Sequence, residues 1–401
     1  MAQQNEAAVY GTTAKSDPEG EFSLVRGGPF YRLQEIIRLI DADRWNLGRR
    51  ILFAIAIGWL PLVLITAVFD PPDLSSLIRD YAVNVRMLFA VPVLLAGQLV
   101  MEKTFRALTR HIREAGLLAR EDLVRMDEVI IARLIRLRDS ILPELLILLA
   151  VYVHIALIFH ARVAIGRPWE IVGSGTNLHA SVAGWYYALV SAVIYEFLLM
   201  LSVWKWSLWS YFLFRLSRLN LQLVATHPDH HGGVGFLGLS PIAGAPIALT
   251  ASAAIGSVWR LQILHHGAHL MDYKLQAIVL LVVILLIFMG PLVFFVPRLG
   301  RLRQMGILQY GTLAQLHSTY FHQKWILHRV GREEEFLAAP EVSTLTDLAG
   351  SYDNIEHMQP FPLDRGAFVA LALAVATPLL PVVLAEIPLS QVLKALLSAV
   401  K

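Results

Sequence analysis

The run His227-Pro228-Asp229-His230-His231 gathers three imidazoles and a carboxylate inside the stretch ATHPDHHGGVGFLGLSP, Ala225–Pro241. Imidazole nitrogen and carboxylate oxygen are ordinary metal ligands. The spacing H-x-x-H-H puts His227, His230 and His231 within reach of one ion, with Asp229 to ligate or orient a ring. A second group, HHGAHLMD, holds His265, His266, His269 and Asp272, and His265 and His269 lie one helical turn apart, a usable two-ligand spacing. Glu196 is an ionisable residue inside an apolar run, where charge is expensive and marks a functional candidate. Arg260, near the end of another apolar run, is a candidate complement for it.

Three signatures overlap in the first stretch, and context removes two. Gly233, Gly235 and Gly238 spell G-x-G-x-x-G, but that dinucleotide fingerprint needs a strand before it and an acidic residue about twenty positions on. An apolar helix precedes it, and Trp259-Arg260 stands where the acid belongs. His-Pro-Asp also resembles the loop of chaperone J-domains, but no small charged helical domain surrounds it. The histidine run resembles a box of membrane desaturases and hydroxylases, which use about eight histidines from several boxes. Its companions on the same side would be His317, His322, His328 and His357, with no second H-x-x-H-H. No cofactor is strongly implied; a single metal ion is one candidate. The plainer reading is that Pro228-Asp229 starts a turn and Gly232, Gly233 and Gly235 let the chain reverse tightly.

What must position these residues is a membrane bundle. Of 401 residues, 56% are hydrophobic and 16% charged, against about 25% charged in soluble domains. Apolar runs of about 18 or more residues, enough to cross ~30 Å of hydrocarbon, predict helices over 51–69, 84–101, 142–161, 181–204, 242–263, 275–296 and 366–386. The expected fold is an all-α polytopic transmembrane bundle of about seven spans. Residues 1–25 read as a disordered polar tail and 26–401 as one membrane domain. The chain has no cysteine, which excludes disulfides, thiolate catalysis and Cys-ligated metals.

The basic residues orient the bundle. The stretches 1–50, 102–141, 205–241 and 297–365 hold 26 of the 34 Lys and Arg residues, and 70–83, 162–180, 264–274 and 387–401 hold 6. This alternation follows seven spans and predicts a cytoplasmic N-terminus, with the excess of positive charge serving topology rather than nucleic acid. It puts the His227 group and the His265 group on opposite sides of the membrane. Phe30–Leu39 reads as an amphipathic helix on the membrane surface, 102–141 and 297–365 as cytoplasmic amphipathic helices, and 387–401 as an outer interfacial helix. Lys205 with Trp204, Trp206 and Trp209 reads as an interfacial anchor.

The fifth run carries Gly244, Ala248, Ser252 and Gly256 at four-residue spacing, a small-x-x-x-small stripe that lets helices approach closely. It offers contacts within the bundle or with a second copy of the chain, and Pro246 is expected to kink it. The remaining partners expected are membrane lipids.

GGPFYRL (Gly27–Leu33), RLRDSILPELL (Arg136–Leu146), HPDHHGGVGFLG (His227–Gly238) and FPLDRGAF (Phe361–Phe368) together resemble a family of uncharacterised bacterial multi-pass membrane proteins. The resemblance covers most of the chain and implies a bacterial cytoplasmic membrane. It carries no activity or residue role with it. From the residues, the leading expectation is a transport or channel-like protein in which Glu196 tunes charge in the path and His227, Asp229, Gly232, Gly233 and Gly235 form a cytoplasmic gate. The alternatives are a membrane-embedded metal-dependent enzyme on a lipid or apolar substrate, and a non-catalytic scaffold or sensor. No P-loop occurs to bind a nucleotide triphosphate.

Overall fold

The structure, a computed structural model, describes residues 22–41, 45–165, 167–173, 179–327 and 340–386; the side chains of residues 160–165, 265–266 and 340–342 are outside the description. It is an all-α bundle. Seven helical segments are long and apolar enough to cross a membrane: Leu47–Phe69, Tyr81–Glu114, Ile141–Phe159, Val182–Leu216, Gly235–Leu264, Leu270–Leu327 and Arg365–Val383. They are numbered spans 1 to 7. The chain is an integral membrane protein, and each expected apolar run falls on one of these spans. Several helices are much longer than the runs. Span 4 continues to Leu216 and span 6 to Leu327, because amphipathic sequence extends each helix past its apolar part. The only strands among the described residues, Ile171–Val172 and His179–Ala180, form an antiparallel hairpin between spans 3 and 4.

Prolines break the spans, and side chains of neighbouring helices take up the backbone groups that are freed. Pro61 has no N–H to offer Ile57, and span 1 divides at Trp59. Tyr186 donates its hydroxyl to the Ile57 carbonyl at 2.6 Å, and Ser191 donates to Gly58 O at 2.6 Å. Pro291 leaves the Ile287 carbonyl free in the same way, and the Trp206 indole N–H donates to it at 2.9 Å. Span 6 tightens to a 3₁₀ turn over Gly290–Phe295 at this point.

Span 5 opens as a 3₁₀ segment, Gly235–Gly244, and turns α-helical at Ala245, one residue before Pro246. The small-residue stripe is buried inside the chain. A Cβ on Gly244 would lie 2.1 Å from the Phe288 ring of span 6, and one on Gly256 would lie 3.0 Å from Leu379 beyond span 7's first turns. Ser252 donates to Val375 O at 2.6 Å. The stripe therefore serves close packing of spans 5, 6 and 7.

Two π-helical turns, Val85–Ala90 in span 2 and Tyr187–Ser191 in span 4, widen the helices locally, the first ending two residues before Pro92. Between spans 2 and 3 the 102–141 segment is helical as expected, with Ile130 and Leu134 buried. The segment after span 6 returns as the helix Pro340–Glu356, which packs along Val296–Phe321.

Two details depart from the sequence reading. Phe22, Leu24 and Val25, at the end of the stretch expected to be a loose tail, are core residues. Trp206, Trp209 and Lys205 are buried, and Trp209 stacks on Phe105 at 4.4 Å, so this group is a core feature and not an interfacial anchor. The cause is the packing of other segments on this part of span 4: Lys205 donates to Val25 O, Trp206 to Ile287 O, and Phe105 covers Trp209. The interfacial helix expected over 387–401, the tail 1–21 and His328 lie outside the described residues.

Candidate functional site

Asp229 builds the loop that joins spans 4 and 5. Its carboxylate accepts the backbone N–H of His231 at 2.8 Å, of Gly233 at 3.1 Å and of Gly235 at 2.9 Å. His227 Nδ1 lies 2.8 Å from Oδ1 of the same carboxylate. The chain can wrap so tightly because His230, Gly232 and Gly233 have φ of 54°, 66° and 95°. Partial burial opposes the charged form of Asp229. The three N–H groups and His227 outweigh it and hold the carboxyl below its usual range.

This loop docks on the segment leading into span 7. His231 Nε2 lies 3.1 Å from Phe361 O and its Nδ1 lies 2.6 Å from Asp229 O. Gln359 N–H donates to His230 O at 2.8 Å, and Asn354 donates to Thr226 O at 3.3 Å. Gly238 packs so closely that a Cβ would lie 2.7 Å from Pro362 O and 2.8 Å from Asp364 N. Asp364 in turn caps span 7, accepting from Ala367 N–H at 2.7 Å.

The histidine run is thus spent on protein partners: His227 on Asp229, His230 at 3.4 Å from Asn354 O, His231 on two carbonyls. The three rings do not converge. Among the described residues no three His, Asp or Glu side chains form a metal-holding group. On the opposite face His269 pairs with Glu386 at 3.4 Å, and the His265 side chain lies outside the description.

Inside the spans a separate polar cluster forms. His154 Nδ1 of span 3 lies 2.8 Å from Glu196 Oε2 of span 4. The His154 side chain is 57% exposed on the outside of the bundle and that of Glu196 only 16%. Arg86, on the span 2 π-turn, donates to the Tyr187 hydroxyl on the span 4 π-turn at 2.7 Å, and Glu196 and Tyr195 lie within electrostatic reach of it. The Arg86 Nε is buried without a partner. Tyr195 donates to Thr250 O of span 5 at 3.3 Å. Arg260, expected as the complement of Glu196, lies over the Tyr81 ring at 4.6 Å instead. Arg86 was visible in the sequence as the lone cation inside the second apolar run, and its apposition to Glu196 was not.

A third polar group joins the N-terminal segment to spans 2, 3 and 4. Glu102 accepts from Ser23 at 2.6 Å and from Arg106 at 2.6 Å. Asp139 accepts the Gly28 N–H at 3.1 Å, Glu144 accepts the Phe30 N–H at 2.7 Å, and Arg138 donates to Ser23 O at 2.6 Å. Asp139 is partly buried, which favours its neutral form, but Arg138, Arg32 and the Gly28 N–H pull its carboxyl below the usual range. Arg50 of span 1 is 2% exposed and donates to Gln34 at 2.7 Å and Gln98 at 2.6 Å.

No family model, no curated protein and no solved structure matches the chain.

Proposed function

We propose that the protein is a transport protein of the bacterial cytoplasmic membrane, with its basic end in the cytoplasm, and that proton exchange at the Glu196–His154 pair is part of its cycle. The observation that carries this reading is the 2.8 Å contact between a carboxylate and an imidazole on two different membrane spans. An ionisable pair inside a span is costly, and its charged and neutral forms differ in how far they can leave each other. Two further features support it. Arg86 supplies a permanent positive charge to the same cluster, and it and Tyr187 both sit on π-turns, where helices commonly place functional residues. A proton added to Glu196 removes its attraction for both His154 and Arg86 and frees spans 2, 3 and 4 to shift against one another.

In this reading Asp229 and the glycines from Gly232 to Gly235 act through their backbone. They form a preformed joint at the mouth of span 5, and relative movement of spans 5 and 7 on the basic side must open it. The imidazoles of the run hold the joint rather than a metal. The test is proton flux in proteoliposomes carrying a pH-sensitive dye, with a gradient imposed across the membrane. Glu196→Gln and His154→Gln are each expected to lower flux at least about tenfold, the scale of a lost charge-assisted hydrogen bond. Flux equal to the unsubstituted protein in both variants rejects the assignment.

A further inference from the structure

Between spans 1, 3 and 4, at the basic end, lies a cavity of about 400 Å³, within the range of about 300–1,000 Å³ typical of small-molecule sites. Its wall is almost wholly apolar. Phe53, Ala54 and Ile57 of span 1 line one side, Val193 and Phe197 of span 4 another, and Leu33 of the surface helix Pro29–Ile36 covers the top. Phe53, Ile57, Leu33 and Leu189, also in the wall, are exposed on the outer surface of the bundle, so the cavity opens toward the hydrocarbon side.

One cation stands in this apolar wall. Arg50 is 2% exposed, and its partners are neutral: the side-chain oxygens of Gln34 and Gln98 and the ring of Trp45, 5.6 Å from the guanidinium carbon. Its Nη1 is buried with no hydrogen-bond partner, and so is Nε2 of Gln98, the amide that accepts from Arg50 Nη2. Lys205 on span 4, itself buried, lies within electrostatic reach of Arg50 and also of the carboxylates Glu144 and Glu102, and the neutral phenol of Tyr31 lies on the surface helix nearby. Among the described residues no carboxylate pairs with Arg50. A buried cation without a counter-ion, beside a second unused donor, is destabilising unless an anion joins it. The spacing along span 1 continues the pattern: Arg50, Phe53, Ala54 and Ile57 lie on one helical face, about 10 Å from first to last.

We propose that this cavity binds an anionic amphiphile, with a carboxylate or phosphate oxygen on Arg50 Nη1 and one apolar chain along the Phe53–Ile57 groove. The site is separate from the Glu196–His154 pair and does not rest on the proton reading. The anion supplies the charge that Arg50 lacks. The chain runs in the direction lipid chains run, from a polar end near the membrane boundary toward its interior, so the ligand enters sideways from the bilayer.

The experiment uses the full-length protein in a non-ionic detergent and measures equilibrium binding of radiolabelled oleate, with phosphatidylglycerol, oleyl alcohol and inorganic phosphate as separate probes. Saturable one-to-one binding of oleate or phosphatidylglycerol, at least about tenfold tighter than oleyl alcohol, is expected; which of the two binds distinguishes a free acid from a membrane lipid. Arg50→Gln is expected to weaken binding at least about tenfold. Ala54→Trp fills the groove without removing the cation and is expected to abolish binding while helicity by circular dichroism is kept, which covers the case in which Arg50→Gln fails to fold. Equal affinity for oleyl alcohol, binding of inorganic phosphate alone as tight as that of the amphiphiles, or full binding by Ala54→Trp overturns the proposal.

Discussion

At its basic end the chain closes on itself twice, and the two closures are held by different means. The first ties Gly27–Leu33 to Arg136–Leu146. Carboxylates of one strand of chain, Asp139 and Glu144, cap the backbone N–H groups of the other, and arginines surround them. The second ties His227–Gly238 to Phe361–Asp364. There the carboxylate, Asp229, serves its own loop, and the joint itself is made by carbonyls, an imidazole and the near contact of Gly238 with the opposing backbone. The difference teaches where each joint is vulnerable. In the first, the carboxylates reach straight across the joint to the other segment. In the second, one side chain must shape a loop before any bond across the joint can form.

This contrast is broken most sharply at Asp229. Asp229→Ala leaves the N–H groups of His231, Gly233 and Gly235 without their acceptor, and should lower stability by about 3 kcal/mol in detergent unfolding, the sum expected when partly buried donors lose a charged acceptor. A loss below about 1 kcal/mol would mean that the glycines, and not the carboxylate, hold the loop. Next comes Gly238→Ala. Its methyl group meets main-chain atoms that cannot rotate away, so the Phe361–Asp364 segment must move, at a cost of about 1–3 kcal/mol. Protease cleavage between Gln359 and Asp364 should rise in this variant and stay unchanged in Asp139→Asn.

The smallest effect sharpens the first closure. Asp139→Asn keeps an acceptor for Gly28 but loses the attraction of Arg138 and Arg32, and should cost about 1 kcal/mol at pH 7. Because the folded carboxyl is held below its unfolded value near 3.9, its contribution is complete above that value and is lost as pH falls through the folded one. The stability difference between the variant and the unsubstituted protein is therefore expected to vanish in acid. A difference that persists below about pH 2 would show that packing and not charge is responsible.

The bundle was largely legible in the sequence, because hydropathy and the Lys and Arg alternation are local quantities. Pro246 was read as a kink, and span 5 changes from 3₁₀ to α one residue before it, whereas the breaks at Pro61 and Pro291 were not read. What covers a freed carbonyl was not legible: Tyr186 reaches Ile57 across 129 residues of chain. The four segments that stood out as motifs turn out to pair two by two, yet Gly28 and Asp139 are 111 positions apart, and nothing in either announces the other. The histidine run suggested a ligand set because its spacing is a local property, whereas the partners of each ring come from Asp229, Asn354 and Phe361. Lys205 was misjudged for a related reason. Its tryptophan neighbours suit an interface, and only the packing of Val25 and Ile287 against them makes the position a core. The Arg50 cavity had no signature at all, since its walls come from spans far apart in the sequence and a surface helix.

Span 6 has a mechanical consequence. From Leu270 to Leu327 it is a helical run of 58 residues, roughly 90 Å long, tightened to a 3₁₀ turn at Gly290–Phe295. The part beyond that turn is about 48 Å of rod, stiffened by the antiparallel helix Pro340–Glu356 along its flank. It is a lever with its fulcrum where Trp206 grips the Ile287 carbonyl. A tilt of about 10° at the fulcrum swings the tip by about 8 Å, so a rearrangement among packed spans too small to open a gap between them is magnified into a displacement that a neighbouring molecule can feel.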